Sequence, residues 1–159
     1  MKNILFSSVG KRVELVNIFK KEIESLSLDI KIIGTDADPD WSPACYVCDK
    51  FESVPYISNG GFIQTILDIC DRENIGVIIP TIDTELLLYA ENRSLFSERG
   101  IEIILSDERT IRIFRDKLKA FELFEAKNIP TPKTYLLTPE LIENIDLNGS
   151  YIAKPSAGS

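Results

Sequence analysis

Apolar residues in this chain fall into two alternating rhythms. Short unbroken runs at residues 3–7 (NILFS), 30–35 (IKIIGT), 50–54 (KFESV), 76–80 (GVIIP) and 101–105 (IEIIL) have the length and β-branched content of buried strands. Between them the apolar spacing changes to that of helices. Leu15, Phe19, Ile23 and Leu26 share one face, as do Phe62, Ile63, Ile66, Leu67 and Cys70, and residues 85–97 continue the pattern. Strands that alternate with helices need crossover connections. They predict a mostly parallel sheet covered on both faces, a Rossmann-like doubly wound α/β domain over residues 1–106. Ligands of such sheets sit beyond the carboxyl ends of the strands, where residues 7–12, 35–41, 81–85 and 106–109 are expected to converge.

After residue 106 the rhythm changes. Residues 107–127 read as one linker helix, with Leu118, Phe121 and Phe124 along a face. Pro130 and Pro132 in NIPTPKT end it. TYLL then reads as a strand, Thr138–Pro139 as a capped helix start, Asn148–Gly149 as a turn and YIAKP as a closing strand. Residues 107–159 are therefore expected to begin a second, α+β unit.

Composition removes whole classes of chemistry. The chain has 159 residues, enough for one domain or one domain and part of another. Its net charge of −7 disfavours a nucleic-acid surface, which needs clustered cations. Histidine is absent, which excludes His-based triads, bases and metal ligands. Three cysteines make no disulfide framework, and Cys45 and Cys48 form a CxxC with no second ligand pair beside it. No metal-ligand set is expected. No apolar run reaches the length of a membrane span, and Gly10, Lys11 and Arg12 interrupt the opening run too early for a signal peptide. The chain is expected to be cytoplasmic.

Four stretches invite a functional reading. SSVGKR, at the first strand-to-helix turn, holds one glycine where a dinucleotide fold wants three. It is either a plain tight turn or a place where Ser7, Ser8, Gly10 and a helix N-terminus meet an anionic substrate. TDADPDWSP sets Asp36, Asp38 and Asp40 at alternate positions. Trp41 stands where a calcium-binding loop needs glycine, which leaves a solvated turn with Asp38 at the rim of the crevice. Asp83 and Glu85 in PTIDTELLL open a helix, whose dipole favours carboxylates there, and their place at a strand end also suits a substrate-side role. Lys154 lies in an apolar strand and must snorkel or meet an anion. Ser156, Ala157, Gly158 and Ser159 follow, small enough for backbone N–H groups to reach a phosphate.

In order, IPTIDTELLLYAE, RDKLKAFELFEAKNIPTPKTY and YIAKPSAGS resemble the beginning of an ATP-grasp enzyme, close in flavour to the carbamoyl-phosphate synthase large subunit. The resemblance spans essentially the whole chain. It implies a pre-ATP-grasp domain, then a linker helix and the start of the small ATP-grasp subdomain. It also implies that Lys117 and Lys154 hold ATP phosphates and that residues 156–159 begin the glycine-rich loop over them. The family's magnesium ligands are expected beyond residue 159, so this chain alone is expected to be inactive. ATP, Mg2+ and a small carboxylate or bicarbonate are the implied partners, with a homodimer or a separately encoded C-terminal half as further possibilities. A non-catalytic module that binds a small anion or docks onto another protein is the competing account.

Overall fold

The computed structural model describes residues 2–146 and 149–157. Its first unit, Met1–Asp107, is organised around β1 (Asn3–Ser7). β2 (Ile32–Asp36) and β3 (Lys50–Ser53) lie on one side of it, and β4 (Ile75–Pro80) and β5 (Glu102–Ile103) on the other. The order is β3-β2-β1-β4-β5, and every pairing is parallel. The chain builds outward from β1 to β3, then returns across it to β4. The strand order reverses between β1 and β4, and there the carboxyl ends leave a crevice.

The pleat sorts the core. Leu5 pairs in register with Ile33 and Ile78, and all three pack with Ile66, Tyr89 and Phe96. The covering helices on that face are α2 (Phe62–Arg72), α3 (Asp83–Glu91) and α4 (Arg93–Ser97). Phe6 and Ile32 face the other way, into α1 (Val13–Ser25) and the short helical turn Pro43–Val47. Phe6 and Phe19 meet edge to face, with centroids 5.1 Å apart. A sheet buried on both sides explains why its strands read as continuous apolar runs.

Between these faces β2 approaches its neighbours closely at Gly34. A Cβ there would stand 2.8 Å from Cys48 Sγ and 3.2 Å from Val9 Cγ1. Gly34→Ala is therefore expected to cost about 2 kcal/mol through overpacking. Urea denaturation measures it, and Cys48→Ala in the same chain should recover part of the loss. An unchanged midpoint for the single variant would show that Cys48 gives way freely.

The second unit, Glu108–Ser159, departs from the sequence expectation in several places. The expected helix over 107–127 is two helices, α5 (Glu108–Phe114) and α6 (Lys117–Ala126). Asp116 divides them. Its backbone is extended, and its carboxylate accepts from the N–H groups of Leu118 (3.0 Å) and Lys119 (3.1 Å), so it caps α6. Residues 85–97 likewise divide, with Asn92 between α3 and α4. The capped start at Thr138 is observed: Thr138 Oγ1 accepts from Leu141 N–H at the head of α7 (Pro139–Asn144). Asn148, in the expected turn, lies outside the described residues. TYLL and residues 151–155 form no strand. A strand exists only in a ladder, and no described strand pairs with either segment.

Candidate functional site

The crevice is built around the turn from β1 to α1. Ser8 and Gly10 both have positive φ, +49° and +48°. The turn is held open by its neighbours. Val9 N–H donates to Thr35 O (2.9 Å), and Thr81 Oγ1 to Ser8 O (2.6 Å). Gly10 N–H donates to Asp36 Oδ2, and Asp38 N–H to Asp36 Oδ1, both at 3.0 Å. Asp36 thus braces two loops at the end of β2.

Behind the turn lies a buried polar chain. Tyr89 OH donates to Ser7 Oγ at 2.8 Å, and Ser8 Oγ donates to Glu85 Oε1. Glu85 is wholly buried in the first turn of α3. Burial pushes its carboxyl up to about 7. Hydrogen bonds from Ser8 and Ser7 oppose the rise, and the charge of Asp36 adds to it. Glu85 Oε2 and Thr35 Oγ1 are buried with no hydrogen-bond partner among the described residues. Burial, and next the charge of Glu85, also push the Tyr89 hydroxyl up.

In front of the turn a cleft of about 570 Å3 opens. Ser8, Gly10, Asp36, Ser58 and Thr84 belong to its polar side, and Val54, Phe62 and Ile82 to its apolar wall. Of the residues singled out in sequence, Ser8 and Gly10 line this cleft, while Ser7 and Glu85 stand behind it. Asp38 is exposed and Asp83 half-buried at the start of α3, and neither lines it. The sequence reading left Glu85 with two roles, countering the helix dipole or facing substrate, and neither foresaw its burial. One signal was available: Glu85 stands four residues before Tyr89, on the inward stripe of α3.

The second unit gathers other candidates. Lys117 is the first residue of α6, and its backbone N–H donates to Ser156 O at 2.9 Å. Asp116 and Ala157 form an antiparallel bridge beside that bond. The segment PSA is thereby seated at the N-terminal end of α6. Lys154 is exposed two residues earlier, so the argument from a lysine inside a buried strand no longer applies to it. Gly158 and Ser159 lie outside the described residues. Within the same unit Arg109, Arg112 and Lys119 line a cavity of about 440 Å3, where Arg112 pairs with Glu108.

The CxxC is quiet. Burial pushes the Cys45 thiol up to about 12 and the Cys48 thiol up to about 11, which holds both as unreactive thiols. Among the described residues no group of three or more His, Cys, Asp or Glu side chains could hold a metal, and no helix is long and apolar enough to cross a membrane.

A family model described as PylC-like, N-terminal domain, matches residues 4–104. No curated protein sequence matches the chain. Among solved structures, it is similar to an L-amino acid ligase from Bacillus licheniformis, with a TM-score of 0.65 at 16% identity, covering 99% of this chain and 38% of that one. It is also similar to the biotin carboxylase domain of a single-chain bacterial carboxylase, with a TM-score of 0.58 at 15% identity, covering 87% of this chain and 32% of that one. A third similar structure is the biotin carboxylase domain dimer of Hydrogenobacter thermophilus 2-oxoglutarate carboxylase, in complex with MgADP, ADP and bicarbonate. Its TM-score is 0.55 at 13% identity, covering 80% of this chain and 28% of that one. The chain spans about a third of the length of these structures, and at such identities they establish a shared fold. With the family model matching well over half its length, the chain belongs to the PylC-like N-terminal domain family, a pre-ATP-grasp domain of the kind its motifs resemble.

Proposed function

We propose that this chain is the front portion of an ATP-dependent carboxylate–amine ligase of the ATP-grasp superfamily, one that activates a carboxylate as an acyl phosphate. The observation that carries the reading is the bond from Lys117 N–H to Ser156 O. It brings two segments about forty residues apart in sequence, the DK helix start and the loop after Lys154, to one place. In this reading the ammonium groups of Lys117 and Lys154 neutralise phosphate charge. The N-terminus of α6 adds its dipole, and residues 156–159 cover the nucleotide. ATP, when bound, supplies the phosphoryl group; this chain's own residues bind and orient it. The Hydrogenobacter thermophilus domain was solved with MgADP and bicarbonate, which supports ATP, Mg2+ and a small carboxylate or bicarbonate here. The described residues do not fit a magnesium site, so no step is assigned to the metal within this chain. The cytoplasm, where ATP is abundant, is the setting this reading implies.

Two measurements test the proposal. The 159-residue chain alone is expected to bind Mg-ATP more weakly than about 1 μM by calorimetry. The complete gene product should release ADP only when a carboxylate and an amine are both supplied. Tight Mg-ATP binding by this chain, or ADP release indifferent to both substrates, sinks the reading. A binding module without catalysis is the second reading, favoured by one fact: the cleft at the β1–α1 turn is lined entirely by the first unit.

A further inference from the structure

Three polar groups of the 570 Å3 cleft, on Ser8, Gly10 and Ser58, give their protons to protein acceptors. Ser8 Oγ donates its only hydrogen to Glu85, which leaves that oxygen able only to accept. Ser58, also in the lining, donates to Asn59 Oδ1 (3.2 Å). Gly10 N–H is given to Asp36. Each Asp36 oxygen takes one N–H and keeps further lone pairs for a ligand. No lysine or arginine lines the cleft; Lys11 and Arg12 lie outside it. The nearest carboxyls are those of Asp36 in the lining and Glu85 behind it. Val54, Pro55, Ile57, Phe62 and Ile82 supply an apolar wall. Accepting oxygens on Ser8 and Asp36, with no lysine or arginine in the lining, match a ligand that brings hydrogen-bond donors and positive charge, while the Tyr56 and Thr84 hydroxyls remain for its other polar atoms.

We propose that this cleft binds the ammonium end of a small primary amine with an apolar body, with Ser8 Oγ and Asp36 as its acceptors. The inference deepens the ligase reading by placing the amine substrate, rather than the carboxylate, on the first unit. It assigns Glu85 a positioning role, since Glu85 takes the Ser8 proton that would otherwise repel an ammonium.

The test is an NMR titration of the 159-residue chain with phenethylamine and, separately, with 3-phenylpropanoate, which carries a similar body and the opposite charge. The amine is expected to shift the amides of Ser8, Gly10 and Phe62 and to bind at least about ten-fold more tightly than the acid. Ser8→Gly keeps the positive φ that glycine tolerates and removes the acceptor, so amine affinity should fall about ten-fold with the spectrum otherwise preserved. Asp36→Asn, which keeps the side chain's size, should narrow the preference for amine over acid. Equal or tighter binding of the acid, or an unchanged amine affinity in Ser8→Gly, overturns the proposal. No nucleotide is present in this titration, so its failure leaves the ATP-grasp reading standing. Conversely, amine binding without substrate-dependent ADP release in the complete gene product would remove only the ligase.

Discussion

Lys154→Met in the complete gene product is expected to lower ATP-dependent turnover by about 10²- to 10³-fold while leaving the fold intact. Lys154 is exposed, so its removal as a packing element should change stability by no more than about 0.5 kcal/mol. A large kinetic loss with an unchanged melting temperature then isolates its charge. Lys117→Met is expected to act in the same range, and the two should not add. Two cations that hold one polyphosphate share a task, and once one is lost the other grips a misplaced group. The double variant should be little worse than the poorer single variant. Additive losses, or full activity after either change, would mean that the residues do not meet at one phosphate. Lys117→Arg is not a conservative control, because the planar guanidinium presents a fork where the ammonium presents a compact charge.

How far the sequence spoke for itself depended on whether an element's partner was local. β1 is readable from NILFS because it is buried on both faces, and the structure begins and ends it where the apolar run does. β5 is weaker. Only Glu102–Ile103 pair, since the adjoining Ile104 is over half exposed and has no core to bind. The expected helix over 107–127 failed at one residue. Asp116 is a strong N-cap, and an N-cap inside an apolar-periodic stretch marks a new helix rather than a continuation. TYLL and YIAKP have strand composition, but composition cannot supply the neighbouring edge that a strand needs. At the cleft, the turn carrying Ser8 and Gly10 was legible because Gly10 marks a tight turn at a strand end. The apolar half of the cleft was not found. Val54, Tyr56 and Phe62 are scattered between β3 and α2, and no local pattern says that they face Ser8. Folding also makes Asp36, in a stretch that read as a solvated turn, a brace whose oxygens receive backbone N–H groups.

The buried carboxyl of Glu85 should make stability fall as pH rises across neutrality. Its pKa is lifted from 4.5 in the unfolded chain to about 7 in the fold. Below the unfolded value both states are protonated and burial carries no ionisation penalty. Between the two values only the unfolded chain loses its proton, so folding weakens steadily. Above about 7 the folded carboxyl ionises too, and the loss levels off at ~3 kcal/mol. The chain has no histidine, so no imidazole titrates in this window to obscure the effect. Asp49 and Glu52 act lower on the scale. Burial raises both, but the Ile32 N–H and Lys20 outweigh it at Asp49, and Arg72 with Lys50 outweighs it at Glu52. Their depressed values cost stability only in more acid solution, which places the stability maximum near pH 5. Urea denaturation at pH 5 and pH 8 should show the wild type losing ~2–3 kcal/mol between them. Glu85→Gln keeps the shape and cannot ionise, so its curve should be flat across the same range and should cross above the wild type at pH 8. A flat wild-type curve would mean that water or a cation reaches Glu85 and keeps it charged. It would leave the Ser8 bond to Glu85 in place, since an ionised carboxylate can only accept, and would remove only the pH dependence.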